Sequence, residues 1–163
     1  MGVLVAMSFA AAAAPQFSVR PGTAADVEAV FSLVEELAVH VRAADQVATT
    51  PQVFRDDLAA GWFELLVAEE DGTGAVLGMM LYYRSYSTWK GRMTYLEDFA
   101  VTAEARRRGV GRALWAGLVG AARANGSTSV KWQIAEFNDG AKAFYREMGA
   151  DIELGYENGR LYL

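Results

Sequence analysis

Cysteine is absent from the 163 residues, which excludes disulfides, thiolate nucleophiles and cysteine metal sites. The sole histidine, His40, has neither cysteine nor a clustered carboxylate pair to complete a ligand set, so it reads as a surface or packing residue. No metal is expected. Basic residues are in the minority, 15 Lys and Arg against 20 Asp and Glu, for a formal net charge of −5. With no basic stripe to neutralise phosphates, a nucleic-acid partner is not expected. What remains is ordinary globular composition, 53% hydrophobic and 21% charged, in a chain long enough to bury one core. A cytoplasmic protein with no membrane partner is the expectation, and an acidic balance suits a cationic small molecule.

The first sixteen residues stand apart. They are apolar, carry five alanines from Ala10 to Ala14, and end at Pro15-Gln16. The stretch lacks the basic start of a signal peptide and is too short to span a bilayer as a helix. It reads as a flexible or overcalled leader, with Met7 as another possible start, and residues 17–163 read as a single domain.

From Phe17 onward, period and punctuation set out an α/β (α+β) order. Phe17–Arg20 alternates as a short strand and stops at Pro21-Gly22; Thr23 and Asp26 have capping-box spacing. Val27, Val30, Phe31, Val34, Leu37, Ala38 and Val41 follow the 3.6-residue rhythm of an amphipathic helix. A second helix begins at Thr50-Pro51, carries Val53, Phe54 and Leu58, and stops near Gly61. Three strands are expected at 63–69, 75–83 and 92–101, with Arg84–Gly91 as a loop. Val110, Leu114, Leu118, Ala121 and Ala122 define a third helix ended by Asn125-Gly126. A strand at Val130–Ala135, a helix at Asp139–Met148 and a closing hairpin around Asn158-Gly159 complete the order.

Between the strand at 92–101 and the third helix lies Arg106-Arg107-Arg108-Gly109-Val110-Gly111. The first N–H groups of a helix have no partner within it, and the dipole places about half a positive charge there. Glycines let a phosphate approach the backbone, and arginines add forked donors. The loop is neither a Walker loop nor a dinucleotide fingerprint, since it lacks the Gly-Lys-Ser/Thr ending and the third glycine. On its own it is either a phosphate cradle or a solvated basic turn.

Three motifs in order resemble the GNAT superfamily of acyl-CoA-dependent N-acetyltransferases. Arg106, Gly109 and Gly111 match its Arg/Gln-x-x-Gly-x-Gly/Ala loop. Tyr95-Leu96-Glu97-Asp98-Phe99-Ala100-Val101 occupies the place of its acetyl-CoA strand. Asn138 to Gly149 fits its Asn-x-x-Ala-x-x-Phe-Tyr-x-x-x-Gly pattern. The closest likeness is to the diamine acetyltransferases, of spermidine/spermine or thialysine type, through Arg20–Asp26, Glu36-Leu37-Ala38, Tyr95–Phe99 and Ala135–Asn138. The resemblance implies a central mixed, mostly antiparallel sheet of six to seven strands flanked by four helices, and acetyl-CoA as co-substrate. By the same analogy the chain is a homodimer.

The resemblance also implies roles. Tyr145 would protonate the CoA sulfur, with Phe144 in the core, and Glu97 would take the amine proton through water. Phe99, Ala100 and Val101 would pair with the pantetheine arm, and Arg106, Arg107, Arg108, Gly109, Val110, Gly111 and Arg112 would hold the pyrophosphate. Asn138 would hold the pantetheine or the local backbone. Asp98 and Trp89 would border the acceptor, a bulge in the strand bringing Asp98 to the same channel as Glu97. The acceptor implied is a small-molecule primary amine, a diamine, polyamine or lysine analogue. Alternatives are a protein N-terminus or lysine as acceptor, or an acyl-CoA-binding sensor without turnover. Ser87 and Gly159 depart from the polyamine pattern, which has an acidic residue and a tryptophan there, and the departures make a shorter amine at least as good an acceptor as spermidine.

Overall fold

Arg20 ties the start of the fold together. Its guanidinium donates to Asp26 at 2.7 and 2.9 Å and to Glu69 at 2.5 and 2.7 Å, joining the first strand, the first turn and the second strand. The buried Asp26 carboxylate also accepts the N–H of Thr23 at 2.7 Å, and Arg20 holds its pKa down at about 2. The capping-box spacing therefore serves an ion-paired turn rather than a free helix end.

The computed structural model describes residues 16–153 together with Gly155 and Leu161. Its elements run β1 (Phe17–Pro21), α1 (Val27–His40), α2 (Pro51–Ala60), β2 (Glu64–Glu70), β3 (Val76–Ser87), β4 (Gly91–Val101), α3 (Val110–Ala124), β5 (Ser129–Lys131) and α4 (Asp139–Glu147). The strands form one sheet in the order β1-β2-β3-β4-β5, antiparallel throughout except for β5, which lies parallel to β4. This is the mixed, mostly antiparallel sheet with four helices, five-stranded among the described residues rather than six- or seven-stranded. The closing hairpin expected at 152–163 falls on residues mostly outside the described ones, as does the leader.

Alternation along the strands divides the core in two. On one face Val110, Leu114 and Leu118 of α3 pack against Leu66, Met80, Tyr82 and Leu96. On the other, Val27, Val30 and Phe31 of α1 and Phe54 of α2 pack against Leu65, Val67, Met79 and Leu81. Gly78 lets α3 settle on the sheet: a Cβ there would stand 2.8 Å from the carbonyl oxygen of Ala100 and 3.2 Å from Leu114. No helix among the described residues is long and apolar enough to cross a membrane.

Two boundaries differ from expectation. Arg84–Ser87 is not loop but the outer end of β3, paired through Ser87↔Gly91 with β4. This end of the hairpin runs past the helices, so neither face is buried and the apolar alternation that marks a strand is missing; Tyr86 is 71% exposed. Conversely, β5 stops at Lys131 instead of Ala135, because its pairing with β4 ends at Tyr95↔Lys131.

Candidate active site

The bulge in β4 organises this region. Leu81 pairs with Asp98 but Tyr82 pairs with Leu96, so Glu97 is one residue too many for the ladder. Without it, Glu97 and Asp98 would point to opposite faces. With it, Leu96 and Phe99 both pack into the core under α3, while Asp98, opposite Leu81, turns to the α1 face. Glu97 joins it there, accepting a hydrogen bond at 3.1 Å from the hydroxyl of Tyr83, which packs against the same core. Two carboxylates thus share one face. Asp98 is half-buried, and desolvation, helped by the neighbouring Glu97 charge, raises its pKa to about 6. Glu97 is exposed. Tyr83 and Tyr95 stack beside them with ring centroids 5.2 Å apart.

The other edge of β4 is open over the same stretch. Beyond Tyr95 the strand continues for six residues to Val101, where β5 no longer pairs with it. Past the splay the chain reaches Asn138, whose side chain accepts the N–H of Ala141 at 3.1 Å and so caps α4. Asn138 thus holds the local backbone, one of its two expected uses.

α4 places Tyr145 in an aromatic nest, with centroids 4.6 Å from Trp132 and 5.5 Å from Trp115. Tyr145 is 6% exposed, and burial alone raises its pKa far above the ordinary tyrosine value. Phe144, expected to be the core residue of the two, is only partly buried and lies 5.4 Å from Phe99 across the helix start. Tyr145 takes the deeper place because two tryptophans, from α3 and from the segment after β5, close around its ring.

At the start of α3, Gly109 has φ +90 and Arg107 φ +63, both left-handed. The helical ladder begins with Ala113 donating to Gly109 at 3.1 Å, so the N–H groups ahead of Ala113 point out of the helix end. Gly111 is tight against the aromatic wall: a Cβ would lie 3.2 Å from Phe99. The arginines are unequal. Arg106 donates to the carbonyl of Val101 at 3.2 Å, Arg108 pairs with Glu70 at 3.2 Å, and Arg112 pairs with Glu147. Arg107 makes no ion pair among the described residues and extends into solvent. Val110 is buried and anchors the loop. The arrangement is a helix N-terminus with outward N–H groups, glycine clearance and one free guanidinium, the makings of a diphosphate cradle.

Trp89 is not brought to this face. It sits at the tip of the β3–β4 hairpin, 86% exposed and six strand residues beyond Glu97, a distance of about 20 Å at the rise of an extended strand. Sequence reasoning did not single out Tyr83 as Glu97's partner, because only the bulge puts them on one side. Nor did it give Glu70 and Glu147 as partners of the loop arginines; they come from remote elements with no local signal.

A family model described as the acetyltransferase (GNAT) family matches residues 30–150. The chain belongs to that family. It is an N-acetyltransferase, and its relatives lie in the diamine acetyltransferase branch. The thialysine N-epsilon-acetyltransferase of Bos taurus is 32% identical over 140 residues, covering 81% of this chain and 82% of that protein. Its Caenorhabditis elegans counterpart is 32% identical over 121 residues, covering 72% of each. A human spermidine/spermine N(1)-acetyltransferase-like protein is 27% identical over 88% of this chain, which spans 21% of it. Among solved structures, a mutant protein from Bacillus halodurans superposes with a TM-score of 0.75 at 20% identity, over 89% of this chain and 99% of that one. An aminoglycoside acetyltransferase from an uncultured soil sample gives 0.74 at 17% identity, over 90% and 97%. At these identities the structures establish the fold.

Proposed function

We propose that this acetyltransferase moves the acetyl group of acetyl-CoA directly to the primary amine of a small aliphatic acceptor, a short diamine or a lysine analogue. The observation that carries the reading is the β4 bulge, which turns Glu97 and Asp98 to one face beside the open edge of the strand. That open edge suits an extended pantetheine arm, and the Gly109–Arg112 helix start suits its diphosphate. The Arg108–Glu70 and Arg112–Glu147 pairs are solvent-screened and weak, so an arriving diphosphate competes with the carboxylates for both arginines.

Bound acetyl-CoA supplies the thioester. Asp98 and Glu97 draw the ammonium form of the acceptor, and Glu97 takes one proton from it through water, leaving a neutral nitrogen lone pair. Nitrogen adds to the thioester carbonyl to give a tetrahedral oxyanion. As this collapses the C–S bond breaks, Tyr145 gives its proton to the departing sulfur, and the second nitrogen proton returns through water to the Tyr145 oxygen, leaving a neutral amide and a free thiol. No acyl-enzyme is required. The curated thialysine-acetylating relatives support a lysine-like acceptor, and Ser87 removes an acidic group that a long polycation would use.

The test is thiol release from acetyl-CoA with putrescine, spermidine, lysine, thialysine and a basic peptide. Turnover with one small amine and none with the peptide is expected. Peptide turnover alone would transfer the reading to protein acetylation, and silence with acetyl-CoA still raising the melting temperature would favour a sensor. A pH series adds a second check. Asp98 loses its charge as pH falls through about 6. Acceptor KM is expected to rise about fivefold between about pH 7 and pH 5, matching the ~1 kcal/mol of a solvent-touched ion pair. Asp98→Asn removes that rise and keeps the high KM throughout; an unchanged pH response in the variant would remove Asp98 from the acceptor site.

A further inference from the structure

We infer that Tyr83 is a positioning residue for the amine-deprotonating carboxylate, holding Glu97 in the orientation that receives the acceptor's proton. The inference rests on the acetyl-transfer reading above and names a residue that reading does not use. Glu97 is the bulged residue of β4, so it lacks the pairing that fixes its neighbours, and its side chain is exposed. A solvent-exposed glutamate on an irregular strand samples many rotamers. Here one oxygen, Oε2, is taken by the Tyr83 hydroxyl at 3.1 Å. The tyrosine itself cannot wander. Its backbone is paired directly opposite Tyr95, its ring stacks on Tyr95 at an interplanar angle of 22°, and its body packs against the core under α1.

The geometry divides labour between the two oxygens. A carboxylate accepts through several lone pairs, so engaging Oε2 leaves Oε1 and the second lone pair of Oε2 for the water that carries the proton. Because Tyr83 reaches Glu97 only across the bulge, with the Leu81↔Asp98 and Tyr82↔Leu96 pairs on either side, the same extra residue both gathers the carboxylates and supplies their orienting partner.

A double-mutant cycle tests this in the full chain, with thialysine and putrescine as acceptors. Tyr83→Phe keeps the ring and its stack and removes the hydroxyl. It is expected to lower kcat about tenfold, with KM for acetyl-CoA and the melting temperature unchanged. Glu97→Gln is expected to lower kcat further, and adding Tyr83→Phe to it is expected to change nothing more. A slow Glu97→Gln enzyme beside a Tyr83→Phe enzyme of wild-type kcat would overturn the inference alone. Additive losses in the double variant would also overturn it, since Tyr83 would then act elsewhere. Wild-type kcat in Glu97→Gln would sink Glu97 as the base and this inference together, as would silence with both acceptors. Should Tyr83→Phe fold poorly, Tyr83→His, which keeps a ring, is compared with wild type and with the Tyr83→His, Glu97→Gln double variant: a lowered kcat in the single and no loss beyond that of Glu97→Gln in the double are expected, and additive losses would overturn the inference.

Discussion

Tyr145→Phe is expected to lower turnover by about 10²–10⁴-fold, the usual contribution of a placed general acid, while acetyl-CoA goes on raising the melting temperature. The variant keeps the ring that Trp115 and Trp132 enclose and loses only the hydroxyl. Burial raises the pKa of Tyr145, which at first sight makes it a poor acid. The same low-dielectric surroundings raise the basicity of a thiolate expelled beside it, so donor and acceptor shift together. Thiol release at saturating acetyl-CoA is the measurement. Wild-type turnover in the variant would remove the acid role from Tyr145 and leave it a packing residue.

The second large effect is on stability. Leu114 is fully buried at the centre of the α3 face, against the flat spot that Gly78 provides. Leu114→Ala is expected to cost about 2–5 kcal/mol, which for a domain of this size lowers Tm by roughly 2–4 °C per kcal/mol. Because α3 carries the Gly109–Arg112 cradle at its start, acetyl-CoA should offset part of the loss, about 2.7 kcal/mol when present at a hundred times its Kd. Calorimetry with and without acetyl-CoA checks both halves. A loss under about 1 kcal/mol would mean that the neighbouring side chains collapse into the gap.

Much of this was legible in the chain. α1, α2, α3 and α4 announced themselves by spacing and by their ends: Pro51 at a first position, Gly61 after α2, Asn125-Gly126 after α3. The loop at Arg106–Gly111 and the Asn138–Gly149 run were readable because each uses residues with special backbone or donor properties at fixed offsets. What the sequence hid were relations across the sheet. The outer end of the β3–β4 hairpin has no buried face, so no alternation marks it. The order of burial of Phe144 and Tyr145 depended on two tryptophans from other elements. The partners of Arg108 and Arg112 lie 38 and 35 residues away in sequence, beyond any local pattern. The bulge was expected from the family likeness, yet its consequence for Tyr83 needed the register itself.

The order in which the sheet is joined also bears on how the chain becomes an enzyme. All five strands pair with their neighbours in sequence order, and β5, Trp132 and the α4 residue Tyr145 come only after residue 128. During synthesis, which proceeds from the N-terminus, the Arg106–Gly111 loop and the Glu97–Asp98 bulge can therefore be assembled before Tyr145 exists. A chain halted there would carry the bulge and the loop but present the whole of β4 as an unpaired edge, open to any passing strand. The segment after residue 128 adds Trp132 and Tyr145 and, in the same step, covers β4 at Met93–Tyr95, so that only the stretch on to Val101 stays open.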